Sequence, residues 1–153
     1  MVDHSHDDPI ELPVDPDLTP PPRRWDVALV VAAGGAIGGA LRYAINELLP
    51  HPPGGWPWST FTENVLGCLA IGFLMYFVIE VWGARRYARP FLGVGILGGF
   101  TTFSAYTTDA LTLLRDDSAP LALLYLFSTL ALGLLATWTG LTVARRLTHG
   151  RSR

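Results

Sequence analysis

The sequence predicts an all-α integral membrane fold of four transmembrane helices, the third broken near mid-span. Three observations predict it. Mean hydropathy is +0.32 over 153 residues, although the first 22 residues hold six of the 13 acids and six of the 12 prolines. Four apolar segments follow, each near the ~20 residues that cross a bilayer's hydrocarbon core. The third is dense in glycine and threonine around Gly93–Tyr106, a poor helix former at its centre. Without water to satisfy exposed backbone groups, runs of this length span as helices.

Residues 1–24 carry almost no large apolar side chains and read as a disordered, acidic, Pro-rich cytoplasmic tail. They lack the basic and apolar regions of a signal peptide, and His4, His6 and Asp7 read as solvated side chains rather than a metal site. Residues 25–147 form the transmembrane domain and 148–153 a short basic tail. The segments run from about Asp26 to Leu49, Phe61 to Trp82, Phe91 to Leu114 and Leu121 to Arg145. Turn-forming connectors separate them at His51–Gly55, Gly83–Arg86 and Arg115–Ser118. Trp56, Trp58, Trp82 and Tyr87 sit at segment ends, where amphipathic rings favour the headgroup level.

Charge excludes some functions and orients the chain. All 11 basic residues are arginines, scattered between apolar segments, so no basic face exists for nucleic acid. One cysteine, Cys68, rules out a disulfide framework and a Cys-based zinc site. With four spans both termini share a side. That side collects Arg23, Arg24, Arg85, Arg86, Arg89, Arg145, Arg146, Arg151 and Arg153, against Arg42 and Arg115 opposite. The bias predicts a multi-pass protein of the cell membrane with both termini cytoplasmic.

Polar groups at membrane depth are the candidate functional residues, because each is costly in lipid. The first helix carries two interleaved small-residue pairs, Gly34/Gly38 and Gly35/Gly39, suited to close helix packing. Arg42 follows, either snorkelling to the interface or lining a vestibule that attracts anions. On the second helix Thr60 and Asn64 share a face, and the Asn64 amide offers uncharged N–H donors to a small anion. Glu63 points about 100° away, near the interface, protonated or paired with an arginine. A break in the third helix would free carbonyls that need a partner such as a cation. Phe103 and Tyr106, three apart, can present ring edges to an anion or simply pack. No nucleophile–base constellation is present, which argues against an enzyme.

Three stretches occur in matching order: Gly34–Tyr43, Thr60–Gly67 centred on Asn64, and Gly98-Gly99-Phe100-Thr101-Thr102-Phe103-Ser104. Through them the chain resembles the small fluoride channels of the Fluc (CrcB) family over residues ~27–147. The resemblance implies an antiparallel dimer with two fluoride paths along its interface. It also implies a structural sodium ion held by the backbone carbonyls of Gly98 and Thr101. The implied path residues are Asn64, Thr60, Phe103, Tyr106, Thr102 and Ser104, with Tyr125 and Thr129 on the fourth helix. Two residues depart from the pattern: Tyr106 stands where Phe is usual, and Glu63 where an aliphatic is usual.

The reading is a fluoride-specific channel that lowers cytoplasmic fluoride by passive efflux, its partners being the ion, membrane lipid and a second subunit. The arginine bias fixes one orientation, which favours pairing with an oppositely oriented homologue over a homodimer. Two rivals stand beside it: a proton-coupled multidrug exporter using Glu63, and a non-conducting assembly subunit.

Overall fold

In the computed structural model, residues 25–52, 54–81 and 86–149 are described; the tail readings for 1–24 and 150–153 lie outside them. Helix α1 is Trp25–Leu48, and α2 is Trp58–Tyr76, running on through widened π turns over Phe77–Val81. The third predicted span is two helices: α3, made of π-type turns over Arg89–Leu97 and an α turn over Gly98–Phe100, and α4, Phe103–Arg115. Helix α5 is Ala119–His149, and no strand occurs among the described residues.

Local chemistry sets these limits. Asp26 complements the positive start of α1, and Pro50 lies just past its end. Pro57 immediately precedes α2, and Pro90 occupies the first turn of α3, where its missing N–H is not needed. Asp117 turns the chain between α4 and α5 at φ 54°, a left-handed conformation that Asp tolerates. α1 and α5 are each long and apolar enough to cross a membrane. The second segment holds Thr60, Thr62, Glu63 and Asn64 in its first turns, and the third is interrupted.

Two glycine seams bring the helices together. α1 lies on α3: a Cβ on Gly38 would stand 2.1 Å from the Ile96 carbonyl, and one on Gly34 2.5 Å from that of Phe91. α2 lies along α5 in the same way, with Gly72 against Thr137 O at 2.1 Å and Gly140 against Leu69 O at 2.2 Å. Backbones approach this closely only where no side chain intervenes. A Cβ on Gly99 of α3 would stand 2.6 Å from Gly35 O, whereas one on Gly35 or Gly39 would meet nothing within 4 Å.

α4 closes on α5 around Ala110, Leu113, Ala122 and Tyr125, with Trp56 and Phe61 packed alongside. Trp58 is exposed, as an interfacial ring should be, but Trp56 turns inward and meets Tyr125 edge-on at 5.6 Å. At the other end of the molecule Arg86 pairs with Asp26 and stands over the Tyr87 ring, 5.3 Å from its centroid. The Tyr87 hydroxyl donates to Asp26 Oδ2 at 2.8 Å, and that carboxylate holds the phenol above its ordinary pKa. The outward face of α5 shows Leu123, Phe127, Leu130, Leu134 and Trp138, an apolar surface unlike that of a helix facing water.

Candidate functional site

The break between α3 and α4 falls on two threonines. Gly98 keeps helical angles (φ −66°, ψ −33°), while Thr101 (φ −80°, ψ 154°) and Thr102 (φ −147°, ψ 122°) are extended. β-Branched residues adopt this region readily. Gly99 packs on α1, where a Cβ would stand 2.6 Å from Gly35 O, while Gly98 has open space around it, and the threonines interrupt the helix. Thr101 remains tied to the end of α3, its N–H and its hydroxyl both donating to Leu97 O at 2.9 Å.

Thr102 is secured from α2. Its N–H donates to Asn64 Oδ1 at 2.9 Å, and Asn64 Nδ2 donates to Thr102 O at 3.0 Å. One side-chain amide thereby satisfies both backbone groups of an extended residue, as a neighbouring strand would. Thr102 Oγ1 in turn caps α4 by accepting from Ala105 N–H at 3.2 Å, with Ser104 Oγ also 3.2 Å away. In an unbroken helix Thr102 N–H would bond Gly98 O and Ala105 N–H would bond Thr101 O. Both donors are diverted.

A cavity of about 500 Å³ opens beside the break. Its wall is mostly apolar and includes Asn64, Gly98, Thr101, Thr102 and Thr129. Phe103 and Tyr106 supply rings, 5.8 Å apart; Phe103 is 76% exposed, and Tyr106 also meets Tyr125 at 5.3 Å. The Tyr106 hydroxyl donates to Leu126 O at 2.9 Å, so the group that distinguishes it from Phe is engaged away from the rings. Thr129 gives its hydroxyl proton to Tyr125 O at 2.7 Å.

Thr60, Ser104, Tyr125 and Arg42 lie off that wall. Thr60 and Tyr125 are buried, with Thr60 beside the Tyr125 hydroxyl, which makes a long 3.5 Å contact to Asp109 Oδ2. Glu63 is 1% exposed, also off the wall, and one of its carboxyl oxygens is buried without a hydrogen-bond partner among the described residues. Arg42 of α1 and Asp109 of α4 are within electrostatic reach of it. Among the described residues Glu63 makes no direct ion pair. Sequence reasoning missed the inward turn of Trp56, whose indole N–H is likewise buried and without a partner among the described residues. The only signal available was its place in the Gly54–Pro57 connector, which reads equally well as interfacial.

The described residues form an all-helical chain with two helices long and apolar enough to cross a membrane, and a largely apolar cavity beside an interrupted helix. Residues 29–141 match the family described as "CrcB-like protein, Camphor Resistance (CrcB)", and the chain belongs to it. Among its relatives, "Fluoride-specific ion channel FluC 1" of Streptomyces coelicolor is 46% identical over 125 residues, covering 82% of this chain and 81% of the relative. "Fluoride-specific ion channel FluC 2" of Nocardia farcinica is 45% identical over 133 residues, 87% of this chain and 95% of the relative. The like-named protein of Hyphomonas neptunium is 44% identical over 121 residues, 78% and 95% of the two chains. These relatives are ion channels by name, not enzymes.

Proposed function

We propose that this chain is one subunit of a fluoride-specific channel that lowers cytoplasmic fluoride by passive efflux. The observation that carries the reading is the cavity at the break, whose mostly apolar wall includes Asn64, Thr102, Thr129, Phe103 and Tyr106 and, among the described residues, no carboxylate. Fluoride is small and strongly hydrated, so a path for it must replace water with neutral donors. After serving Thr102, the Asn64 amide has one N–H left to offer. The rings of Phe103 and Tyr106 offer their positive edges. Thr102, Ser104 and Thr60, with Tyr125 and Thr129 of α5, extend the polar route, and Arg42 draws anions to its mouth. The names of the relatives point to the same ion.

Among the described residues no cluster of His, Cys, Asp or Glu fits a metal, so a sodium ion would rest on backbone oxygens. Gly98 and Thr101 fit that role, because the N–H groups that would occupy their carbonyls are bonded elsewhere. Bound there, the ion would supply fixed positive charge that offsets an anion's.

The nine-to-two arginine bias favours a single insertion with both termini cytoplasmic. An antiparallel dimer then requires a homologue of reversed bias. Fluoride efflux from liposomes, with chloride as control, tests the function: fluoride alone should pass, from this chain or from its co-expressed pair, and Asn64→Asp should abolish it. Equal passage of both ions, or no fluoride flux from either preparation, refutes the reading. Reporters fused to the C-terminus test orientation, and a substantial external fraction would remove the case for a heterodimer.

A further inference from the structure

The residue placed in the anion's path holds the break itself. Asn64 stands on α2, 38 residues before Thr102, yet its side chain occupies both backbone groups of that threonine. We propose that Asn64 is a positioning residue for the carbonyl cradle of the break, keeping Gly98 O and Thr101 O available to a hard monovalent cation while its remaining N–H faces the anion path. This rests on the channel reading above, and extends it by making one side chain answer to both ions.

The argument runs through the diverted donors. Thr102 is 9% exposed, so its N–H and carbonyl have little access to water and require partners in the protein. If Thr102 N–H returned to Gly98 O, the first cradle oxygen would be occupied. Asn64 Oδ1 prevents this by accepting that N–H, and Nδ2 holds the Thr102 carbonyl in the same extended conformation. The other ties at the break, Thr101 N–H and hydroxyl to Leu97 O, Ala105 N–H to Thr102 Oγ1 and the contact between the Thr102 and Ser104 hydroxyls, are local to α3 and α4. None of them holds Thr102 N–H or its carbonyl, so loss of Asn64 opens that N–H to exchange, lets it compete for Gly98 O, and leaves the cradle without a fixed form.

The experiment is amide hydrogen exchange on the full chain in detergent, with ¹⁵N-threonine resolving Thr102, in sodium and in a large organic cation. Wild type should show a protected Thr102 N–H and slower exchange across residues 98–105 in sodium. Asn64→Ala should speed exchange of Thr102 N–H at least tenfold and lose the sodium response. Asn64→Asp keeps the acceptor and lacks the donor, so it should retain Thr102 protection within about threefold and keep the sodium response, while fluoride flux fails. That separation distinguishes positioning from anion donation. Unchanged Thr102 protection and an intact sodium response in Asn64→Ala would overturn the proposal. An absent sodium response in wild type refutes the cradle while leaving the anion reading to the flux assay. If Asn64→Ala does not fold, Asn64→Ser, too short to span to Thr102, carries the same comparison.

Discussion

Tyr106→Phe asks whether the hydroxyl of this residue belongs to the path or to the scaffold. The substitution removes one neutral hydrogen bond of 2.9 Å, to Leu126 O. Such a bond contributes about 1 kcal/mol net, and the carbonyl left behind lies inside a helix, where it keeps its backbone donor. The ring contacts, 5.8 Å to Phe103 and 5.3 Å to Tyr125, involve the carbon skeleton and survive. Their contribution of about 0.5–1.5 kcal/mol per pair is therefore retained. Thermal unfolding in detergent should register a loss of about 1 kcal/mol, and fluoride efflux should stay within about twofold of wild type, since a change of RT ln 2 in barrier height is about 0.4 kcal/mol. A tenfold or greater fall in flux, with unfolding unchanged, would mean that the hydroxyl serves the ion directly and that its bond to Leu126 is incidental.

Other outcomes follow from neighbouring groups. Phe103→Ile keeps an apolar group but removes a ring that is 76% exposed, so flux should fall at least tenfold with little change in unfolding temperature; normal flux rules out the aromatic edge. Gly38→Ala sets a methyl 2.1 Å from a backbone carbonyl that cannot rotate away, and should destabilise the chain by about 1–3 kcal/mol or more in thermal unfolding. Gly39→Ala, with nothing within 4 Å, should leave the chain's own stability unchanged or slightly raised in the same assay. Purification with all sodium replaced by a large organic cation should weaken dimer stability on size exclusion; no change argues against a structural ion. The bond from Tyr87 to Asp26 raises the phenol's pKa, so its contribution is present at neutral pH and is lost as pH climbs through that raised value. Tyr87→Phe should remove this alkaline step from an unfolding-versus-pH series.

Much of the fold was legible because its causes are local. Apolar runs and their Pro- and Gly-rich connectors place the helix ends within a few residues, and β-branched threonines after a glycine cluster signal an interruption. The assignment of roles inside that motif was not legible. Gly98-Gly99 and Thr101-Thr102 are both weak helix formers, and only the structure separates Gly99, packed on Gly35, from an open Gly98 and the interrupting threonines. The same holds for the paired motifs of α1. Gly34/Gly38 and Gly35/Gly39 have identical spacing, but the first pair meets α3 while Gly39 meets nothing nearby. Asn64 reads in one dimension as a donor at depth. Its engagement with Thr102 is a contact across 38 residues, which no local pattern encodes.

The interruption at Thr101–Thr102 also cuts one helix dipole into two. The C-terminal end of α3 presents partial negative charge through its carbonyls, and the N-terminal end of α4 presents partial positive charge through its amides, about half an elementary charge each. A continuous helix would show neither sign partway along its length. Because both charges reside in peptide groups, they neither titrate nor demand a counterion, and the field at the break keeps its form across the whole range of cellular pH.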